Sequence, residues 1–210
     1  MLPPTIPIFP LPNVVLFPQV FLPLHIFEPR YVEMVGDALA GDRIIGMVLL
    51  QPGWEADYEG RPPVYPIGCA GLITNAERLA DGRYNIVLRG LAKFRILSED
   101  ATRSYRQAEV ETVTEPPSDR DREELRGARH RLEALLVPQP SGRGVDTKMP
   151  PSMADEDLIN ALAQYLDLEP LEKQALLERE SLLLRCRSLI ELLEMKVFAA
   201  HHNWSGEGMH

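Results

Sequence analysis

Five histidines, two cysteines and a few strings rich in arginine and aromatic residues are the parts of this 210-residue chain able to do chemistry. A cysteine nucleophile needs a neighbouring base and a lowered pKa. Cys69 sits instead in Gly68-Cys69-Ala70-Gly71, a small-residue strand string suited to packing, and Cys186 lies in a leucine-rich run. Both read as buried thiols of a reducing compartment. Metal ligation needs convergent donors, often two on one helix face. His201 and His202 are adjacent, point different ways and share a polar terminal tail with His210. His25 lies beside Phe27 in an apolar strand, as a satisfied core or interface histidine does, and His130 stands between Arg129 and Arg131 on a charged helix face. No metal and no cofactor are expected.

Phosphate chemistry has no support either. No G-x-x-x-x-G-K-[ST] string is present to cradle phosphates with backbone amides and a lysine, and Gly142-Arg143-Gly144 with the distant Lys148 has the wrong spacing. A dinucleotide-binding G-x-G-x-x-G, the nucleophile elbow G-x-S-x-G and a Ser-x-x-Lys pair are absent too. The expectation is a protein without catalytic residues.

Three strings suit recognition. Phe27, Glu28, Arg30 and Tyr31 fall where an apolar strand gives way to a helix, a place where such residues line a groove or serve as cap and ion pair. Trp54 and Tyr58 stand among acids in a polar loop, as in a peptide-contacting loop. Arg83, Arg89, Lys93, Arg95, Arg103 and Arg106 outnumber Glu99 and Asp100 by four charges, with Tyr84, Phe94 and Tyr105 interleaved. Basic residues among stacking aromatics suit single-stranded RNA, which makes Arg89, Lys93 and Arg95 the RNA-contact alternative. Strand alternation supplies the plainer reading, with aromatics inward and arginines solvated. The net charge of −9 and pI near 5.1 oppose a general affinity for nucleic-acid backbone or anionic lipid.

The elements that must position these residues follow from pattern. Prolines punctuate the first 30 residues, where TIPIF and VFLPLHIF read as edge or entry strands. Pro29 opens a helix with Tyr31, Met34, Val35 and Ala38 on one face and Gly41 as its cap. IIGMVLL, at residues 44–50, is a buried strand, far short of the roughly 18–20 apolar residues a membrane span needs. A proline-broken start without basic residues does not suit a signal peptide, so a cytoplasmic protein is expected. Residues 51–66 form a loop, and IGCAGLITNAERL is a strand turning at Asp81-Gly82 into Tyr84–Leu97, with a bulge expected at Gly90. Residues 107–114 complete the strands. Beyond Pro116-Pro117, capping pairs Ser118/Asp121 and Ser152/Asp155 start two helices around a linker at 138–151. A third helix is expected from Pro170 to Phe198, carrying Leu176, Leu183, Ile190 and Val197 at heptad spacing, more as part of an intramolecular bundle than as a coiled-coil dimer. The expected class is α+β: a β-rich domain with one helix at 1–115, a helical bundle at 116–200 and a flexible tail at 201–210.

PIFPLPNVVLFP, LPLHIFEPRY, IGCAGLI, DGRYNIVLRGLAKFRI and LEPLEKQALLERESLLLRCRSLIELLE together resemble the N-terminal substrate-binding domain of the ATP-dependent protease Lon, over about residues 5–200. The resemblance implies a PUA-like pseudo-barrel followed by a helical bundle. It also implies recognition of unfolded or degron-bearing polypeptides, or of a protein partner, by a module without the family's ATPase and Ser-Lys protease regions.

Overall fold

The computed structural model describes residues 2–57, 60–100, 102–115, 119–136 and 153–204. Tyr58, Ser118, Ser152 and the 138–151 linker lie outside the described residues. The chain divides into two compact units, residues 1–114 with 160–178, and residues 115–159 with 179–210. One stretch of the second half, 160–178, thus changes sides relative to a single boundary near 115. The segment 160–178 is fastened into the first unit by polar side chains that satisfy backbone groups. Gln164 accepts from the Phe17 N–H at 3.2 Å and Gln174 Nε2 donates to the Ile67 carbonyl at 3.0 Å. Both glutamines are buried, where an unpaired backbone group would cost about 1–3 kcal/mol.

The first unit is built on six strands: β1 (Thr5–Leu11), β2 (Phe21–Ile26), β3 (Ile44–Leu49), β4 (Ile67–Arg78), β5 (Tyr84–Asp100) and β6 (Arg106–Val113), with α1 (Pro29–Ala40) between β2 and β3. Their order is β2-β5-β4-β3-β1-β6, and β5 pairs with β6 as well, so five strands close into a barrel with β2 on its rim. Every pairing is antiparallel except β1 with β3. Inside, Ile6, Ile8, Val48, Ala70, Phe94, Ala108 and Val110 form one buried cluster drawn from all five barrel strands. A Cβ on Gly46 or Gly68 would approach the Phe94 ring to 2.8 or 2.7 Å, so these glycines leave the space the ring fills.

The bulge expected at Gly90 is present. Ala70 pairs with Ala92 but Gly71 with Gly90, which leaves Leu91 extra on β5, and a second irregularity leaves Leu97 extra against β6. Such insertions bend a strand and raise its twist, which is what closing a sheet demands. The turn at Asp81-Gly82 is also as expected, with Gly82 at φ 89°. β2 is an edge strand and handles that exposure as its prolines suggest. The Gly90 N–H bonds the Val20 carbonyl, so even-numbered residues of β2 face β5 and Pro23 puts its missing donor on the open edge. On that edge the Phe21 carbonyl accepts from the Tyr165 hydroxyl.

Helix ends agree with expectation at α1 and depart from it in two places. Gly41 caps α1 with φ −114°, and the left-handed residue is Arg43, held by its N–H to the Ala38 carbonyl and by Nε to the Ile73 carbonyl. The long third helix is two, α4 (Pro170–Leu177) and α5 (Leu182–Trp204). Ser181 is the cause: its Oγ accepts from the Leu184 N–H, starting a new helix inside the leucine pattern. The heptad stripe is therefore divided. Leu176 belongs to the first unit, Leu183 and Ile190 are buried in the second, and Val197 is exposed. α5 also continues to Trp204, four residues into the expected tail.

In the second unit α2 (Asp119–Leu136) packs along α5, with Leu125 and Leu132 of α2 and Leu183, Cys186 and Leu189 of α5 buried. α3 (Asp155–Tyr165) starts here, where Arg129 bonds Asp155 at 2.5 Å, and runs on into the first unit. The fully buried Arg185 pairs with Glu115 at 2.5 Å.

A glycine substitution tests the barrel rim. A Cβ at Gly90 would lie 2.0 Å from the Phe17 carbonyl oxygen, and backbone cannot step aside as a side-chain end can. Gly90→Ala is expected to destabilise by about 2–3 kcal/mol, and Gly36→Ala, in open space on α1, to be neutral or stabilising by up to about 1 kcal/mol, both read by urea denaturation.

Candidate functional site

The strand-to-helix string splits into two parts. Glu28 is the N-cap of α1 in extended backbone, with Pro29 at the first helical position and the Glu28 carbonyl taking the Tyr31 and Val32 N–H groups. Its side chain makes no capping bond and instead holds Arg30 at 2.9 Å. The Arg30 guanidinium lies over the Tyr31 ring, 4.7 Å from its centroid. Tyr31 in turn is buried, packed 4.3 Å from the Phe9 ring of β1. Phe27 faces away from this stack. It is 61% exposed and lies 6.1 Å from the His25 ring.

Arg30 and Tyr31 open onto a cleft of about 180 Å³ at one end of the barrel. Pro10 and Leu50, where β1 and β3 finish, supply apolar wall. Arg61 comes from the loop before β4, Ser104 and Tyr105 from the β5–β6 connection, and Arg106 from the start of β6. Each polar side chain is anchored. Arg106 makes two bonds to Glu99, at 2.6 and 2.7 Å, and a third to the Pro62 carbonyl at 2.7 Å. Arg61 donates to the Asp100 carbonyl at 3.0 Å, and Ser104 to Glu33 at 2.7 Å. The Tyr105 hydroxyl donates to Asp37 at 2.8 Å, and Arg103 pairs with the same carboxylate. Burial, and then the bond to that anion, push the Tyr105 phenol up to about 12, against the opposing pull of Arg103. A cleft this small, below the roughly 300–1,000 Å³ of small-molecule pockets, suits one side chain or a chain end.

The remaining expected positions scatter. Trp54 is half-buried in a 3₁₀ turn, Trp54–Asp57, and does not line the cleft. Arg89 is exposed on β5 and donates to Gln19 at 2.6 Å, and Arg95 is exposed further along the strand. Lys93 corrects the RNA-facing trio. It is 3% exposed, opposite the buried Cys69 in register, and cannot belong to a solvated basic face. Three other cations of that cluster are engaged by carboxylates, Arg83 by Asp81, Arg103 by Asp37 and Arg106 by Glu99. His25 is exposed, not core: its Nδ1 lies 2.8 Å from Asn85 Oδ1, and Arg83 approaches its Nε2 at 3.3 Å. Asn85 Nδ2 in turn donates to Glu77. Burial raises the Cys186 thiol to about 11, the opposite of an activated nucleophile, and Cys69 is fully buried. Among the described residues, no three histidine, cysteine or carboxylate groups gather to hold a metal. No described helix is long and apolar enough to cross a membrane.

With the barrel and its cleft in view, the comparisons assign a class. The family model described as the ATP-dependent protease La (LON) substrate-binding domain matches residues 5–195, and the chain belongs to that family. Lon protease 2 of Myxococcus xanthus is 30% identical over 207 residues, and Lon protease of Anaeromyxobacter dehalogenans is 29% identical over the same length. Each alignment covers 93% of this chain, which spans about a quarter (24%) of those relatives. Two solved structures share the fold. The Lon N-terminal domain protein from Xanthomonas campestris has a TM-score of 0.59 at 20% identity, covering 89% of this chain and 97% of its own. The N-terminal domain of Mycobacterium avium complex Lon protease has a TM-score of 0.64 at 19% identity, covering 90% and 98%.

The raised Tyr105 phenol has a measurable consequence. A folded-state pKa above the unfolded value near 10 stabilises the fold fully below pH 10, and that contribution is lost as pH rises through about 12. An ultraviolet absorbance titration is expected to show one late-ionising tyrosine near pH 12. Asp37→Asn should lower that value only in part, since burial is the larger cause.

Proposed function

We propose that this chain is a non-enzymatic polypeptide-recognition module that binds unfolded or degron-bearing segments, or a protein partner, in the cytoplasm. The observation that carries the reading is the match of nearly the whole chain to a substrate-binding domain family. The arrangement of the first unit supports it. Arg30 and Tyr31 border an anchored cleft at the barrel end, and Phe27, two residues before Pro29, is a large apolar side chain left in solvent. A protein surface commonly anchors a partner with such aromatic and arginine groups. The sequence lacks the G-x-x-x-x-G-K-[ST] phosphate-binding string that nucleotide hydrolysis by a P-loop would use. Polypeptide is favoured over RNA because Lys93 is buried and the Arg83, Arg103 and Arg106 charges are already compensated.

Fluorescence anisotropy with a labelled, permanently unfolded polypeptide tests this reading. Saturable binding is expected without nucleotide. Phe27→Ser should weaken it about five- to tenfold, the worth of roughly one apolar anchor, with an unchanged melting temperature. Binding that requires ATP, or none at all, would overturn the proposal.

A further inference from the structure

The cleft at the barrel end has a charge character that the family match does not assign. Among the described residues, Arg30, Arg61 and Arg106 all line it, and no carboxylate does. Two of these cations are neutralised from behind, Arg30 by Glu28 and Arg106 by the two-pronged grip of Glu99. Those pairs also fix the guanidinium positions, so little side-chain entropy remains to be lost on binding. Arg61 differs. It is exposed, and its bonds go to the backbone carbonyls of Asp100 and Arg103, which orient the group without cancelling its charge. Among the described residues no carboxylate pairs with Arg61, so the lining combines an oriented guanidinium with the apolar surfaces of Pro10 and Leu50, in a space for one side chain or chain end.

We propose that this cleft is a carboxylate subsite, with Arg61 as the principal contact and Arg30 and Arg106 as a fixed positive frame. It would take a glutamate or aspartate side chain, or the C-terminal carboxylate, of a bound polypeptide. The proposal rests on the polypeptide-binding reading above and specifies what one part of that surface selects. A guanidinium meets a carboxylate through paired N–H donors, a match that an amide or an apolar residue of the same size does not offer. Selection therefore comes from the difference in affinity between charged and neutral peptides, not from total affinity.

Three labelled peptides of one apolar sequence provide the test: one with internal glutamates and an amidated end, one without acids but with a free C-terminal carboxylate, and one neutral and amidated. At least one carboxylate peptide is expected to bind about tenfold tighter than the neutral one, or 1.4 kcal/mol, and the identity of that peptide tells the two sources apart. Arg61→Gln should reduce the ratio to about one, while Arg61→Lys should retain part of it; melting curves confirm that both variants fold. Equal binding of all three peptides, or a preference that survives Arg61→Gln, overturns the subsite and leaves polypeptide recognition standing. Failure of every peptide to bind overturns both.

Discussion

Closure of the barrel through a single long strand is the constraint on which the first unit depends. β5 runs 17 residues and is hydrogen-bonded along different stretches to β2, β4 and β6. A straight strand could not serve three partners on a closed surface, and the two extra residues, Leu91 and Leu97, supply the bends. Phe94 then fills the interior, admitted by Gly46 and Gly68 on the neighbouring strands. The packing is mutual. Without the ring the two glycines would leave a void, and with larger residues in their places the ring would have no room.

The cleft inherits its rigidity from this closure. It sits where β1 and β3 finish and where β5 connects to β6, so strand ends and the start of α1 hold the connecting segments that complete its walls. α1 is tied to the same frame by the Tyr31–Phe9 ring contact and by the bonds from Tyr105 and Ser104 to Asp37 and Glu33. Polar groups at this end are mostly satisfied by one another, which is how a small recognition surface keeps its shape in the absence of a ligand.

Much of the strand pattern was legible because the local signals were strong. Prolines marked β2 as an edge, Asp81-Gly82 marked the hairpin and Gly90 the bulge. Helix 170–198 was not legible as two helices, because its leucine spacing stays in phase across the break and only Ser181 signals a restart. The site was half visible. Glu28, Arg30 and Tyr31 stood out as a string, but Arg61 and Ser104 join them from sequence positions about 30 and 70 residues away, and no local spacing announces such a meeting. Lys93 was misplaced for a related reason. Alternation in β5 assumes one wet face, whereas both Lys93 and Phe94, on opposite sides of the strand, are buried.

The return of residues 160–178 to the first unit bears on the order in which the protein is made. A chain emerging from the ribosome completes all six strands by residue 113, yet the groups that satisfy the Phe17 amide and the Ile67 carbonyl have then not been synthesised. About fifty further residues must emerge before Gln164 is available, and about sixty before Gln174 is. Until then the nascent barrel carries polar backbone groups and apolar surface that only a later part of the same chain can cover. Completion of the first unit therefore waits on the second half of translation, and the sequence from 115 to 159 behaves as an insertion within a unit begun much earlier.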